Sequence, residues 1–279
     1  MRPLLDALRS AWRDPRGRLG AIAILVVSTA ALLGPPLLPD PRAQPDILAG
    51  SLPPSIGHPF GTDQLNRDVL ARVVAGARIS LGVALLAVAL SMTLGAGVGL
   101  VSGYWGGAVD AVLMRVVDGA LAIPRLFILL LVLAVSERVP IVALIAIIGV
   151  TGWFATSRLV RAEVLRIREE SFVRAAEALG ARRRRVIFRH LLPNTLGPLL
   201  VAATLGVGDV ILLEAGLSFL GLGIQPPAPS WGGMILDSKE VLVSAPWVGI
   251  FPGLAIVVTV LSANLFGDAL RDAVDPRNA

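Results

Sequence analysis

The sequence predicts an all-α, polytopic membrane protein with six transmembrane helices, and three observations predict it. Hydrophobic residues make up 55% of the 279, and mean hydropathy is +0.76, which is more apolar surface than a soluble domain of this size can bury. The apolar residues fall into six runs, near 19–38, 79–103, 111–134, 139–157, 196–219 and 246–266. Each can cross a hydrocarbon core of about 30 Å, which takes about 20 helical residues. Basic residues collect between the runs rather than inside them.

Taken in order, residues 1–18 form a basic tail before the first run. A charged stretch ahead of about fifteen apolar residues also suits a cleaved secretory signal. Pro35 and Pro36 follow directly, with no clear Ala-x-Ala site at the end of the run, so it is read as a retained anchor. Residues 39–78 then form a long polar loop rich in Pro and Gly. The second run carries Gly95, Gly99, Gly103 and Gly107 at four-residue spacing. That spacing makes a flat helix face on which another membrane helix can approach closely. It is a packing device, since Gly95-Ala96-Gly97-Val98-Gly99 lacks the G-x-G-x-x-G spacing of a dinucleotide site. In the third run, Arg115 and Asp118 stand three residues apart and are expected to pair. The fifth run holds Asp209 and Glu214. An ionised carboxylate at membrane depth costs about 3 kcal/mol, so each is a candidate for the translocation path or for a pair inside the bundle.

Of the 25 basic residues, 24 are Arg and one, Lys239, is Lys. Placing the N-terminus inside puts seventeen of them in the cytoplasm, ten of these between Arg158 and Arg189, against six outside, Arg138 among them. The positive-inside rule then puts both termini in the cytoplasm, with residues 267–279 as a short cytoplasmic tail. The arginines lack interleaved aromatics and sit at membrane boundaries, which argues against a nucleic-acid partner.

The insert 158–195 between the fourth and fifth runs is the most telling segment. Phe172, Ala175, Ala176 and Leu179 fall at i, i+3, i+4 and i+7, an apolar stripe on a helix of about nine residues. A helix so short needs a surface to dock on. Gly180 is placed to cap it in the left-handed conformation. A second short helix is expected from Ala181, with Arg182 to Arg185 at its start, Val186, Ile187, His190 and Leu191 on one side, and Pro193 closing the unit. The bland alternative is a basic loop lying on anionic membrane lipid.

Ala175, Ala176, Gly180, Leu192 and Pro193 resemble the EAA loop of binding-protein-dependent ABC importer permeases, with Arg174 in place of the family's first Glu and His190 in place of an aliphatic residue. His58-Pro59-Phe60-Gly61-Thr62-Asp63-Gln64-Leu65-Asn66-Arg67-Asp68 is similar to a signature of the second permease subunit of dipeptide and oligopeptide importers, as are the stretch from Leu213 to Gly223 and Gln225 to Gly232. Asn66 stands where that signature carries Gly, and Asn tolerates a left-handed backbone better than most residues. The resemblance implies a type I ABC importer permease: a five-helix core over 79–266 in the bacterial inner membrane, carrying peptides or a similar solute such as a nickel chelate. It implies that Phe172, Arg174, Ala175, Ala176, Glu177, Leu179, Gly180, Ala181, Leu192 and Pro193 couple the chain to ATPase subunits. It also implies a paralogous permease as heterodimer partner, two ATPases that bind ATP and Mg, and an extracytoplasmic solute-binding protein.

The residues themselves offer no catalytic site. The single lysine precludes a Walker A loop, two histidines and no cysteine give no ordinary zinc site, and no Gly-x-Ser-x-Gly elbow occurs. The chain is expected to be a transport subunit without a cofactor of its own. An ion-coupled secondary carrier is the competing reading, because it too would hold carboxylates at membrane depth.

Overall fold

A computed structural model describes residues 2–135 and 139–274, with side chains from Asp6 onward; Arg138, placed outside above, and residues 275–279 of the C-terminal tail, Arg277 among them, lie outside the described residues. Among the described residues there is no strand, only an isolated antiparallel bridge between Thr62 and Asp68. Helix α1 (Arg2–Arg13) leads into α2 (Pro15–Leu33), where the Asp14 carboxylate accepts from the Gly17 N–H at 3.2 Å. The sequence carries this first span to residue 38. The helix instead stops at Leu33, because Pro35 and Pro36 lack the N–H groups that would continue it and form a 3-10 turn with Leu37.

The second span is far longer than its apolar run. Helix α3 (Val69–Trp105) has 37 residues, about 55 Å, and begins where the Asp68 carboxylate accepts from the Ala71 N–H at 2.7 Å. The third span is broken into α4 (Gly107–Leu121) and α5 (Arg125–Ala134), bent by 77° at Pro124. Helix α6 (Ile141–Arg168) is followed by the short α7 (Ser171–Ala178) and α8 (Arg183–Val186). A π turn over Ile187–Leu191 joins α8 to α9 (Leu192–Phe219), then come α10 (Trp231–Asp237) and α11 (Trp247–Val274). Five of these segments are each long and apolar enough to cross a membrane, and α4 with α5 makes a sixth.

Three expectations need correction. Pro193 does not close a separate unit: the chain from Arg183 to Phe219 is one continuous helical segment. A proline inside a helix clashes with the carbonyl four residues back, and the wider π turn just before it absorbs that clash, with the Leu192 N–H reaching Ile187 O and the Asn194 amide donating to His190 O at 2.6 Å. The C-terminal segment does not leave the helix after residue 266, since α11 runs to Val274. Arg115 is not the partner of Asp118, whose carboxylate instead takes Arg158 of α6 at 2.5 Å. The facing helix offers a guanidinium at closer range than the i, i+3 neighbour does.

The core forms where α3 lies along α6. A Cβ on Gly95 would come within 2.5 Å of the Thr156 side chain, one on Gly99 within 2.7 Å of Ser157 O, and one on Gly103 within 2.8 Å of Val164. Close backbone approach of this kind, not hydrophobic exclusion of water, is what holds helices together in lipid. The α6 side contributes Gly149 and Gly152, whose added Cβ atoms would meet Leu90 and Ser91 at 2.7 Å. Gly107 is not part of the ridge: it opens α4 at φ 52°, after Gly106 at φ 62°, and faces open space. Two ends of the bundle follow from the alternation of the spans. One gathers α1, residues 106–107, the 169–192 loop and the end of α11; the other gathers residues 34–68 and α10.

Candidate coupling loop and translocation surface

At the end holding α10, the polar loop is locked to the bundle by charge. Asp63, fully buried, accepts from the backbone N–H groups of Leu65 and Arg67 at 3.0 Å, from Arg67 Nε at 2.7 Å and from Arg72 of α3. Arg72 also reaches Asp237 of α10 at 3.0 Å, and Gln64 donates to Asp237 O at 2.6 Å. Asn66 takes φ 57°, the left-handed turn its type tolerates, and its amide donates to Gly50 O. His58 Nδ1 lies 2.8 Å from the Asp68 carboxylate. The His58 to Asp68 motif is thus a scaffold that fixes a loop to α3 and α10. Asp237, 165 residues from Arg72, carried no sequence signal for this role.

The two intramembrane carboxylates have different surroundings. Asp209 is exposed and lines a cavity of 240 Å³ with Arg125, Ser91, Thr156 and Gly206. The Arg125 guanidinium donates to Ile148 O at 2.5 Å and Thr151 Oγ1 at 3.2 Å, so the turn after Pro124 aims it back into the bundle. Glu214 is 1% exposed, with Ser218 Oγ donating to one carboxylate oxygen at 2.6 Å and Ser80 Oγ to the other at 3.4 Å. Ser80 in turn accepts from the Trp231 N–H at 3.3 Å, and the Trp231 indole donates to Val73 O at 3.0 Å. Glu214 therefore ties α3, α9 and α10 together, whereas Asp209 faces a cavity.

At the basic end, α7 buries one residue against the bundle and leaves most of the others exposed. Val173, fully buried, packs with Val164, Ile167, Val186 and Leu191. The predicted stripe faces away from the bundle: Phe172 is 45% exposed and Leu179 88%. The physical reason is that a helix of eight residues has two usable faces, and Val173, 100° round from Phe172, takes the inner one. Gly180 at φ 80° ends α7 in a paired cap, its N–H bonding Glu177 O at 2.9 Å while the Ala181 N–H bonds Ala176 O at 3.0 Å. Tyr104, at the end of α3, donates to Glu177 at 3.3 Å, and Arg174 pairs with Glu169. Ala176, Leu179, Gly180, Ala181, Arg182, Arg185 and His190 line a cavity of 540 Å³. Leu192 and Pro193 begin α9 just beyond it. Two residues connect α6 to α7, and the π turn connects α8 to α9, so α7 is joined closely to two spans.

Comparison with known proteins places the chain among transport permeases. Residues 95–279 match the family described as binding-protein-dependent transport system inner membrane component. The chain is 40% identical over 276 residues to the dipeptide transport system permease protein DppC of Alkalihalophilus pseudofirmus, covering 96% of this chain and 90% of that protein. It is 38% identical over 281 residues to DppC of Bacillus subtilis, covering 99% and 88%. It is 37% identical over 276 residues to the oligopeptide transport system permease protein OppC of Bacillus subtilis, covering 96% and 90%.

Proposed function

Because the chain belongs to the family of binding-protein-dependent transport system inner membrane components, and is a membrane-spanning permease subunit of an ABC importer, we propose that it carries peptides or a chemically similar small solute into the cell, driven by ATP hydrolysed on separate subunits. Relatives named for dipeptide and oligopeptide transport support the substrate class. The proposal places the chain in the bacterial cytoplasmic membrane with both termini inside, paired with a paralogous permease. Two ATPases hold the ATP and Mg, and an extracytoplasmic solute-binding protein delivers the solute at the end that holds α10.

The observation that carries the coupling is the exposed α7 face, with Phe172 and Leu179 uncovered while Val173 and the Gly180 cap hold the helix at a fixed angle. An apolar face of that size on an eight-residue helix is a docking surface for a groove. Closure of two ATPases around ATP moves the groove, α7 follows, and α6 and α9 tilt. This is a two-state element biased by a ligand bound to another chain.

Copurification tests it. Wild type retains the cognate ATPase subunits, and Gly180→Arg inserts into the membrane but loses them. An ion-coupled carrier predicts the opposite pattern: uptake that collapses with the ion gradient, survives ATP depletion and ignores Gly180→Arg.

A further inference from the structure

Five arginines of the loop, Arg182, Arg183, Arg184, Arg185 and Arg189, are exposed, and among the described residues none of them enters an ion pair. The nearby acids are already engaged. Glu169 holds Arg174, Glu163 and Glu170 hold Arg166, and Glu177 takes the Tyr104 hydroxyl. The free arginines border the apolar docking face, since Arg182 and Arg185 line one cavity with Leu179 and Ala176, and Phe188 beside them is 61% exposed. An apolar centre with a charged margin is the anatomy of a protein interface.

Geometry separates a protein partner from lipid. The apolar run of the fifth span begins at Leu196, and Arg183 lies thirteen residues before it on the same continuous helix. That is about 20 Å along the axis. Headgroups add only about 6 Å beyond each side of the hydrocarbon, and attraction to a charged surface fades over about 8 Å at physiological salt. Arg182, Arg183, Arg184 and Arg185 are carried past the lipid, with Arg182 and Arg185 beside Ala176 and Leu179.

We infer that this run recognises a carboxylate-rich rim on the ATPase subunit around the groove that takes α7. The inference rests on the docking reading of α7 and adds the charge of the partner. The apolar centre sets how long the complex lasts, and the charged margin sets how fast it forms and with which ATPase.

The test uses the full chain with its paralogous permease in discs of neutral phosphatidylcholine, and measures binding of the cognate ATPase subunits against NaCl concentration. Wild-type association should slow by about tenfold as salt rises from low to high, the range over which steering by rim charges is screened. The combined variant Arg182→Ala, Arg183→Ala, Arg184→Ala, Arg185→Ala should associate about tenfold more slowly at low salt and lose most of the salt dependence. Its melting temperature should stay unchanged, because the replaced side chains are exposed. Equal association rates for wild type and variant across the salt range would overturn the inference. So would an effect of the variant that appears only when anionic phosphatidylglycerol is added, which would assign the run to lipid. Gly180→Arg keeps the two layers apart: if it still binds ATPase, the docking reading itself fails, and if it releases ATPase while the four-alanine variant behaves as wild type, only the acidic rim fails.

Discussion

The Arg161 guanidinium holds the Asp110 carboxylate with two nitrogens, Nε at 2.5 Å and Nη2 at 2.6 Å, and so joins α6 to the first half of the bent third span. Ser102 of α3 donates to the same carboxylate, which places three helices on one anion. Arg158 and Asp118 form a second rung eight residues along α4. The first rung is only partly exposed, Arg161 at 33% and Asp110 at 18%, and bidentate, whereas the second is about half exposed on both sides. A double-mutant cycle should give about 1 to 2 kcal/mol of coupling for Asp110 with Arg161 and less than about 0.5 kcal/mol for Asp118 with Arg158. Thermal unfolding in detergent checks both.

The glycine ridge makes a sharper test because it has an internal control. Gly99→Ala puts a methyl group within 2.7 Å of Ser157 O and of Val160, neither of which can give without parting α3 from α6. We expect a loss of about 2 kcal/mol, within the range for overpacking a tight contact. Gly97→Ala, two residues away on the same helix, meets nothing within 4 Å. Helix propensity favours Ala over Gly by about 1 kcal/mol, so this variant should be as stable as wild type or slightly more so. Equal effects from both would mean that α3 does not lie on α6 through this face.

The contrast between those glycines also marks what the sequence could and could not disclose. Four-residue spacing named Gly95, Gly99 and Gly103 because helical period is a local property of the chain. It could not exclude Gly107, because the end of α3 is set by two successive positive-φ residues, Gly106 and Gly107, and not by composition. The six crossings were legible from run length. The excess length of α3 and α6 was not, since helix beyond the bilayer is polar and blends into the loops. In the insert between α6 and α9, Gly180 and the apolar stripe were legible, but the inner anchor Val173 was not. A period points to a face without saying which way it turns. Asp237 and Arg125 were illegible for a plainer reason: their partners lie far away in sequence, and charge alone does not say who meets whom.

Sidedness can be read directly because the chain has no cysteine. Ile56, in the loop before α3, is fully exposed, and Phe188, beside the arginine run, is 61% exposed. Ile56→Cys and Phe188→Cys should each accept a membrane-impermeant maleimide, the first in intact cells and the second only after the inner face is opened. Labelling of both from one side would contradict an odd number of crossings between them and with it the proposed topology.

Asp209 and Glu214, five residues apart on α9, should separate in function. Both oxygens of Glu214 receive serine hydroxyls, and those serines in turn accept from the Trp231 and Ile224 N–H groups. Glu214→Leu leaves the two hydroxyls without their acceptor in a buried site, at a cost of about 1 to 3 kcal/mol. Glu214→Gln keeps the shape and one acceptor, so it should retain most of the stability and the uptake rate. Asp209 bears little packing, being exposed toward the cavity it shares with Arg125. Asp209→Asn should therefore leave the melting temperature within about 1 kcal/mol equivalent of wild type. If Asp209 faces the moving solute, the same variant changes the uptake rate for charged and neutral peptides by different factors. A uniform loss for every peptide, accompanied by a lower melting temperature, would instead make Asp209 another internal tie, with the path running elsewhere.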